Sequence, residues 1–375
     1  MNKTRVCCFC ERWESGGIES FLNNVFHYID LSFVQVDIVV AELSESIFTE
    51  PLKQLGVYFY ELSGNQKKLV ENYKTFRRIL DNGNYDVVHL NIFHALSLIY
   101  AKIAYFTGVP KIIAHSHNTA LRKSRTKILK LCVHKLSKCF FSRYVTDFWA
   151  CSHKAAEFMF PKNITRNKQY FFVPNGIKTE AFIFEPDHRE SFRQKLGLEN
   201  TFVIGCIGRL CEQKNQLFLL YVLKEALKTR DCRLLLVGEG DHEDLLRKKV
   251  LEMQIADKVI FYGVSNEVNH LMCCMDCLAM PSLFEGLGIV AIEAQCLGLP
   301  VVCSENIPEE AYASEGIKSI CLNEGARSWA AALLECEKTG VNSKVNLTAV
   351  IESGFDIKNV SETIKNKYTE ENVYG

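Results

Sequence analysis

Two glutamates eight residues apart, Glu285 and Glu293, and two cations five residues apart, Arg209 and Lys214, have the types and spacing to act on a charged small molecule. The glutamates lie in DCLAMPSLFEGLGIVAIEAQCLGLPVV, residues 276–302. Its apolar run 277–280, closed by Pro281 and Ser282, reads as a short buried strand. Gly286 and Gly288 mark a turn around Leu287. Helical spacing then runs from Ile289 to Leu297 until Gly298-Leu299-Pro300 stops it. A strand–glycine turn–helix unit aims free backbone amides at whatever sits above the turn, and anions favour that place. Glu285 falls in the turn and Glu293 two helical turns on, so one carboxylate faces a ligand's reacting end and the other its hydroxyl-bearing end. That arrangement suits a sugar nucleotide.

Other segments offer complementary groups. Gly208 and Arg209 follow an apolar strand, with Lys214 on the next loop; a planar guanidinium fork and a point charge there converge on one diphosphate. The plainer reading of such a pair is two solvated surface cations. His115-Ser116-His117-Asn118 also ends a strand, where an imidazole can bond a sugar hydroxyl or a phosphate, or can simply be a satisfied structural histidine. Gly16-Gly17 opens a helix after the first strand, either letting a phosphate approach backbone amides or making an ordinary tight turn. Residues 122–143 hold eight Lys/Arg and no acid, with Leu129, Cys132, Val133 and Leu136 as an apolar stripe. Such a helix lies on an anionic bilayer or packs on the core with its basic face in water.

These groups need a scaffold, and the pattern supplies one. Strands at 6–10, 34–40, 87–90 and 111–115 alternate with helices at 18–29, 70–80 and 96–106. The second half restarts with strands at 203–207, 233–237 and 259–262 and helices at 216–228, 242–253 and 266–272. Alternation at these lengths means parallel βαβ units in doubly wound sheets, and 375 residues are too many for one such unit. Two in tandem are expected to hold a ligand in the cleft between them, with the boundary near 174–193.

Composition bounds the function. The chain is 48% hydrophobic and 23% charged with zero formal net charge. Residues 1–175 carry 23 Lys+Arg against 14 Asp+Glu, and residues 176–375 carry 21 against 30. The basic half suits a membrane surface or a phosphate-bearing substrate and does not by itself point to nucleic acid. The 16 cysteines sit mostly in apolar runs, where Cys is a small core residue. The patch 6–10 is too short for a secretory signal, so reduced thiols and a cytoplasmic setting are expected. Cys273-Cys274-Met275-Asp276-Cys277 lacks the paired C-x2-C units of a zinc site. No run of 18 apolar residues exists to span a membrane.

Taken in order, Gly-Gly-Ile-Glu at 16–19, Val-Pro-Asn-Gly-Ile at 173–177, Gly208-Arg209…Lys214, Leu-Val-Gly-Glu-Gly at 236–240, Phe-Tyr-Gly at 261–263 and the Glu285/Glu293 pair resemble the retaining glycosyltransferases of family four. The resemblance covers essentially the whole chain and is nearest to bacterial enzymes that build capsular or exopolysaccharide repeats. It implies the GT-B fold: α/β, two tandem doubly wound Rossmann-like domains at 1–180 and 181–354, and a last helix, 355–375, crossing back to the first. It implies transfer of a hexosyl or N-acetylhexosaminyl group from a UDP-linked nucleotide diphosphate sugar onto an acceptor hydroxyl of a glycan or lipid-linked saccharide, with retention and without a metal or other cofactor.

 The donor base so implied is uridine.

Carried over residue by residue, the resemblance implies that Arg209 and Lys214 clamp the donor diphosphate, while Glu285 faces the transferred sugar. Glu293 would take the ribose hydroxyls, the amides of Leu287, Gly288 and Ile289 would cap a phosphate, and His117 would touch the sugar. Gly16, Gly17, His115, Asn118, Asn175, Gly208, Gly238, Gly263, Ser282 and Gly286 complete the expected substrate-facing set. Here Gly-Leu-Gly follows the first glutamate where many members have Gly-Phe-Gly, and the acceptor region of the first domain matches no assignable pattern. Two other readings fit the same residues: a sugar-nucleotide 2-epimerase of the same fold, and a sugar-nucleotide-binding subunit without catalysis. Residues 122–143 carry the expected membrane contact, at the inner face of the plasma membrane.

Overall fold

A computed structural model describes residues 3–14, 17–44, 46–120, 127–336 and 343–370. The chain divides into two compact units, residues 1–177 with 356–375, and residues 178–355.

The first unit is built on seven parallel strands: β1 (Thr4–Trp13), β2 (Val34–Leu43), β3 (Tyr58–Glu61), β4 (Val87–Ile92), β5 (Lys111–Ser116), β6 (Asp147–Ala150) and β7 (Tyr170–Phe172), in the order β3-β2-β1-β4-β5-β6-β7. The order reverses between β1 and β4, and in open α/β sheets such a switch point opens a crevice at the carboxyl ends of the strands. Strands β1, β4 and β5 are near-continuous apolar runs because helices cover both faces of a parallel sheet. The edge strands β3 and β7, and the short β6, escape the sequence pattern. Tyr58–Glu61 and Tyr170–Phe172 are three or four residues long with no fully buried position, and their aromatic runs are too short to set them apart from loops.

The helix Ile357–Thr369 belongs to this first unit. Ile357, Val360, Ile364 and Tyr368 recur at helical spacing and join its core beside Val6, Phe21 and Trp149. Asp356 caps the helix start by accepting from the Lys358 amide at 3.0 Å. At the other end the buried Lys111 ammonium donates to the carbonyls of Lys367 and Glu370, each at 2.7 Å. A cation on the last carbonyls of a helix meets the negative end of its dipole. Gly176 makes the approach possible, since a Cβ there would come within 2.9 Å of Ile357 Cδ1.

The second unit has six parallel strands: β8 (Phe202–Ile207), β9 (Cys232–Val237), β10 (Val259–Gly263), β11 (Cys277–Met280), β12 (Val301–Ser304) and β13 (Ile317–Ile320). Their order is β10-β9-β8-β11-β12-β13. Its switch point lies between β8 and β11, the strands that precede Arg209 and Glu285. Part of the charged stretch 174–193 is helical here, within Pro186–Leu196. Its Arg189 and Arg193 reach Asp276 at 2.5 and 3.3 Å, and Asp276 also accepts from the Val203 amide at 2.7 Å. The cysteines behave as core: Cys206, Cys232 and Cys277 pack in one apolar cluster of this unit. Among the described residues, no helix is long and apolar enough to cross a membrane, and no group of His, Cys, Asp or Glu is arranged to hold a metal ion.

Candidate functional site

In the second unit, two loops at the carboxyl ends of β8 and β11 are zipped together. Leu283 donates from its amide to the Gln213 carbonyl at 2.8 Å, Gln213 Nε2 to the Phe284 carbonyl at 3.0 Å, and Asn215 Nδ2 to the Pro281 carbonyl at 3.1 Å. This seam delivers Lys214 onto Glu285, with Nζ 2.7 Å from Oε1. Ser282 Oγ donates to the same oxygen at 2.7 Å, and Ser304 Oγ braces the Ser282 carbonyl at 2.6 Å. Burial works against the Lys214 charge, but the Glu285 carboxylate more than offsets it and holds the ammonium's pKa above its ordinary value. The sequence alone set Lys214 beside Arg209 on a diphosphate; the structure joins Lys214 to Glu285, while Arg209 is exposed.

Glu293 stands on the helix Ile289–Leu297, within electrostatic reach of Lys214. It has no side-chain hydrogen bond among the described residues. Although part of the residue stays accessible, desolvation pushes its carboxyl up to about 7, against the pull of Lys214. Gly288 precedes the helix at φ 91°, a conformation natural to glycine. The first-turn amides that follow it lack intrahelical acceptors.

The glycines of this unit divide between clearing space and packing. A Cβ at Gly208 would lie 3.1 Å from Lys214 Cε, so this glycine makes room for the lysine stem. A Cβ at Gly238 would lie 2.4 Å from the Gly208 carbonyl oxygen, and the Gly238 amide donates to the Gly263 carbonyl at 2.8 Å. Gly238 and Gly263 thus seat one loop on another, backbone to backbone. Gly205 makes room for Met275, whose Sδ lies 2.0 Å from where a Cβ would be.

In the first unit the histidines form a column inside the sheet. Tyr368 Oη lies 2.7 Å from His89 Nδ1, and His89 Nε2 lies 3.2 Å from His115 Nδ1. The His115 ring then meets the His117 ring at 4.0 Å between centroids. Burial strips these rings of charge. It pushes His89 and His117 down to about 3, and His115 well below its ordinary value. His115 has no accessible surface, so it supports His117 from within, and His117 is the partly exposed end of the column. Asn91 Oδ1 lies 3.0 Å from His117 Nε2, which places the proton on that nitrogen. His117 Nδ1 and the neighbouring Asn175 Oδ1 are both buried without a well-formed hydrogen bond.

The remaining expected contacts are placed as follows. Asn118 braces its own loop, donating to the carbonyls of Ala120 and Phe93 at 2.7 and 3.3 Å while accepting from the Thr119 amide at 3.0 Å. Gly17 opens the helix Gly17–Tyr28 with open space where a Cβ would stand. Gly16 lies outside the described residues. His89, Asn91 and Tyr368 were missed by sequence reasoning. A histidine inside the apolar run Val-Val-His-Leu of β4 is a signal of a buried polar partner, but the partner, Tyr368, is 279 residues away.

Two parallel Rossmann-like units of this kind are the architecture of GT-B glycosyltransferases. HepE of Anabaena, solved with UDP-glucose, superposes with a TM-score of 0.77 at 20% identity, covering 97% of this chain and 98% of its own. The family model described as Glycosyltransferase Family 4 matches residues 15–181, and that described as Glycosyl transferases group 1 matches residues 201–338. The chain belongs to this glycosyltransferase family. EpsF of Bacillus subtilis (strain 168), named as a glycosyltransferase, is 27% identical over 90% of this chain and 89% of its own. The Escherichia coli UDP-Gal:alpha-D-GlcNAc-diphosphoundecaprenol alpha-1,3-galactosyltransferase is 27% identical over 64% of this chain and 62% of its own.

Proposed function

We propose that this glycosyltransferase moves a hexosyl or N-acetylhexosaminyl group from a UDP-sugar to a hydroxyl of a glycan or lipid-linked saccharide in capsular or exopolysaccharide synthesis. The configuration is retained and no metal takes part. The observation that carries this reading is the Lys214–Glu285–Ser282 cluster beside Glu293 and the helix that starts after Gly288. The leaving group is a diphosphate, and its growing charge is the main thing to stabilise. Lys214, Arg209 and the first-turn amides supply positive potential for it. Glu293, whose carboxylate has no protein hydrogen bond among the described residues, accepts from the ribose hydroxyls. Glu285 faces the transferred sugar, and His117, held neutral, offers a hydrogen bond to the same sugar without placing a charge beside it. Retention follows from deprotonation of the acceptor by the departing phosphate on the same face.

The E. coli relative's name supports a uridine donor and a lipid-linked acceptor. A membrane contact fits the helix Lys127–Phe141, which exposes Ile128, Leu129, Leu136 and Phe140 alongside Lys130 and Lys135. The expected stripe included Val133, which is partly buried, and Leu136, which is exposed. Arg122 and Lys123 lie outside the described residues. Anionic headgroups and an exposed apolar row together would seat this helix on the inner face of the plasma membrane.

The test is a thermal-shift panel of nucleotide diphosphates followed by product analysis. UDP should raise the melting temperature by its mass-action contribution, and incubation with donor and acceptor in excess EDTA should yield an α-linked product from an α-linked donor. Inversion, or loss of activity to chelator with rescue by Mn²⁺, overturns the mechanism. Donor alone giving a new epimer would favour the epimerase reading, and binding without turnover the silent subunit.

A further inference from the structure

Four side chains from distant parts of the first unit meet in its interior: Cys8 on β1, His89 on β4, His115 on β5 and Tyr368 on the last helix, none more than 2% exposed. A neutral imidazole has one nitrogen that donates and one that accepts, so each contact constrains the next. Their hydrogen bonds run in one direction, and His115 is the fixed end. Its Nδ1 faces His89, its Nε2 has no well-formed bond, and the acceptor beside the ring is the Val173 carbonyl. A carbonyl only accepts, so Nε2 carries the proton and Nδ1 the lone pair. His89 Nε2, 3.2 Å away, must then donate, which leaves His89 Nδ1 to accept. The Tyr368 hydroxyl at 2.7 Å is the donor it meets. The Cys8 thiol, with Sγ 4.0 Å from Tyr368 Oη, can supply the phenol oxygen in turn. The opposite direction would aim a ring lone pair at the Val173 carbonyl, and in a dry interior that repulsion is poorly screened.

We propose that Tyr368 is a positioning residue for sugar transfer: its hydroxyl sets the direction of a hydrogen-bond chain through His89 and His115 to the Val173 carbonyl, and so holds Asn175 and His117 in register. The proposal rests on the reading of His117 as a contact of the transferred sugar. Two links join the chain to His117. The His115 ring packs on the His117 ring at 4.0 Å between centroids, and Phe21 meets the two rings at 5.5 and 5.4 Å. Val173 also lies two residues before Asn175, the side chain beside His117. Asn91 fixes the far side of that ring. Its amide donates to the Phe9 carbonyl at 3.5 Å, so its Oδ1 faces His117 Nε2, and His117 keeps its lone pair on Nδ1. Trp149 stacks on the Tyr368 ring at 6.0 Å and 13°, which holds the phenol in line with His89. The proton arrangement of the column thus begins on the last helix, and docking that helix orders the sugar-facing end.

The experiment reads the tautomers directly, by long-range ¹⁵N–¹H NMR on the full chain with ¹⁵N-labelled histidine. His89, His115 and His117 should each carry the proton on Nε2. Tyr368→Phe keeps the ring and its stack on Trp149 but removes the donor. His89 and His115 should then lose their single tautomer and show averaged nitrogen shifts. Turnover is followed as UDP released from UDP-glucose, UDP-galactose or UDP-N-acetylglucosamine, whichever is used fastest. Tyr368→Phe should lower kcat about tenfold and leave the donor KM unchanged. Ser361→Ala is the matched control, since it deletes another buried hydroxyl of the same helix, one that donates to the Val25 carbonyl at 3.3 Å. It should lower the melting temperature and leave tautomers and kcat as in the wild type. A wild-type His89 protonated on Nδ1, wild-type kcat in Tyr368→Phe, or equal kcat losses in the two variants overturns the proposal. His117→Ala separates the chain from the reading beneath it. Turnover lost with His117→Ala but kept with Tyr368→Phe removes only the chain, and full turnover without His117 removes the sugar contact on which it rests.

Discussion

The two units treat buried ionisable groups in opposite ways. In the second unit Lys214 keeps its charge because Glu285 lies 2.7 Å away and Ser282 shares the bond. In the first, His89 and His115 have no carboxylate beside them and give up their charge to burial. Pairing preserves a full charge for a ligand that carries charge. Neutral stacking preserves shape and hydrogen-bond direction without a charge. Under the proposed function, the first arrangement suits a charged diphosphate and the second an uncharged sugar.

The largest effect should come from breaking the pair. Lys214→Ala is expected to reduce transfer by at least 10²–10³-fold, the order seen when one preorganised donor is lost. It should also destabilise the unit by about 3–5 kcal/mol, since Glu285 is left buried and charged. Adding Glu285→Gln should recover the melting temperature and leave transfer lost. A double variant that transfers at the wild-type rate would sink the role given to the charge.

The histidine column makes the next prediction. His89 and His117 have folded pKa values of about 3, well below their unfolded value near 6.5. Their contribution is complete above pH ~6.5 and is lost as pH falls toward ~3, because the unfolded chain takes up protons that the folded chain refuses. Stability should drop by a few kcal/mol between pH ~6.5 and ~4. His89→Gln should flatten that acid limb in pH-dependent thermal melts, and an unchanged limb would refute the column's neutrality.

Glu293 should tilt the profile the other way. Its folded pKa, about 7, lies above the ordinary 4.5, so its contribution is full below pH ~4.5 and fades as pH rises through ~7. Glu293→Gln should remove that decline and so steepen the net rise of stability with pH between ~4.5 and ~7. Its effect is smaller than that of the column, because one partly accessible group is involved. If the variant's pH profile superposes on the wild type, the carboxyl is not desolvated.

The smallest effect per residue is expected at the basic helix. Lys130→Gln with Lys135→Gln should weaken sedimentation with anionic vesicles by about 1 kcal/mol per lysine. Sedimentation that neither these changes nor Leu136→Asp alters would make the exposed row a solvated face.

Much of this was legible without coordinates. Long strands buried on both faces, such as Phe202–Ile207, announce themselves as apolar runs, and glycine turns before helices mark the strand ends where ligands meet backbone. Short edge strands such as β13, Ile-Lys-Ser-Ile, do not, because a partly exposed edge imposes no continuous apolar pattern. Glycines were legible as special positions but not as to purpose. Gly205 and Gly176 make room for Met275 and for the last helix, and only a structure shows what occupies the space a Cβ would fill.

The sequence by itself determined the fold and the family, and named the residue types of the proposed donor site, because local periodicity and turn chemistry act over a few neighbouring residues. Only the tertiary structure decided who partners whom. Lys214 meets Glu285 across 71 residues, Tyr368 meets His89 across 279, and Glu11 meets Ser97 across 86. Charge, proton position and cavity shape are set by such long-range neighbours, because desolvation and hydrogen bonding depend on what surrounds a group in space rather than along the chain.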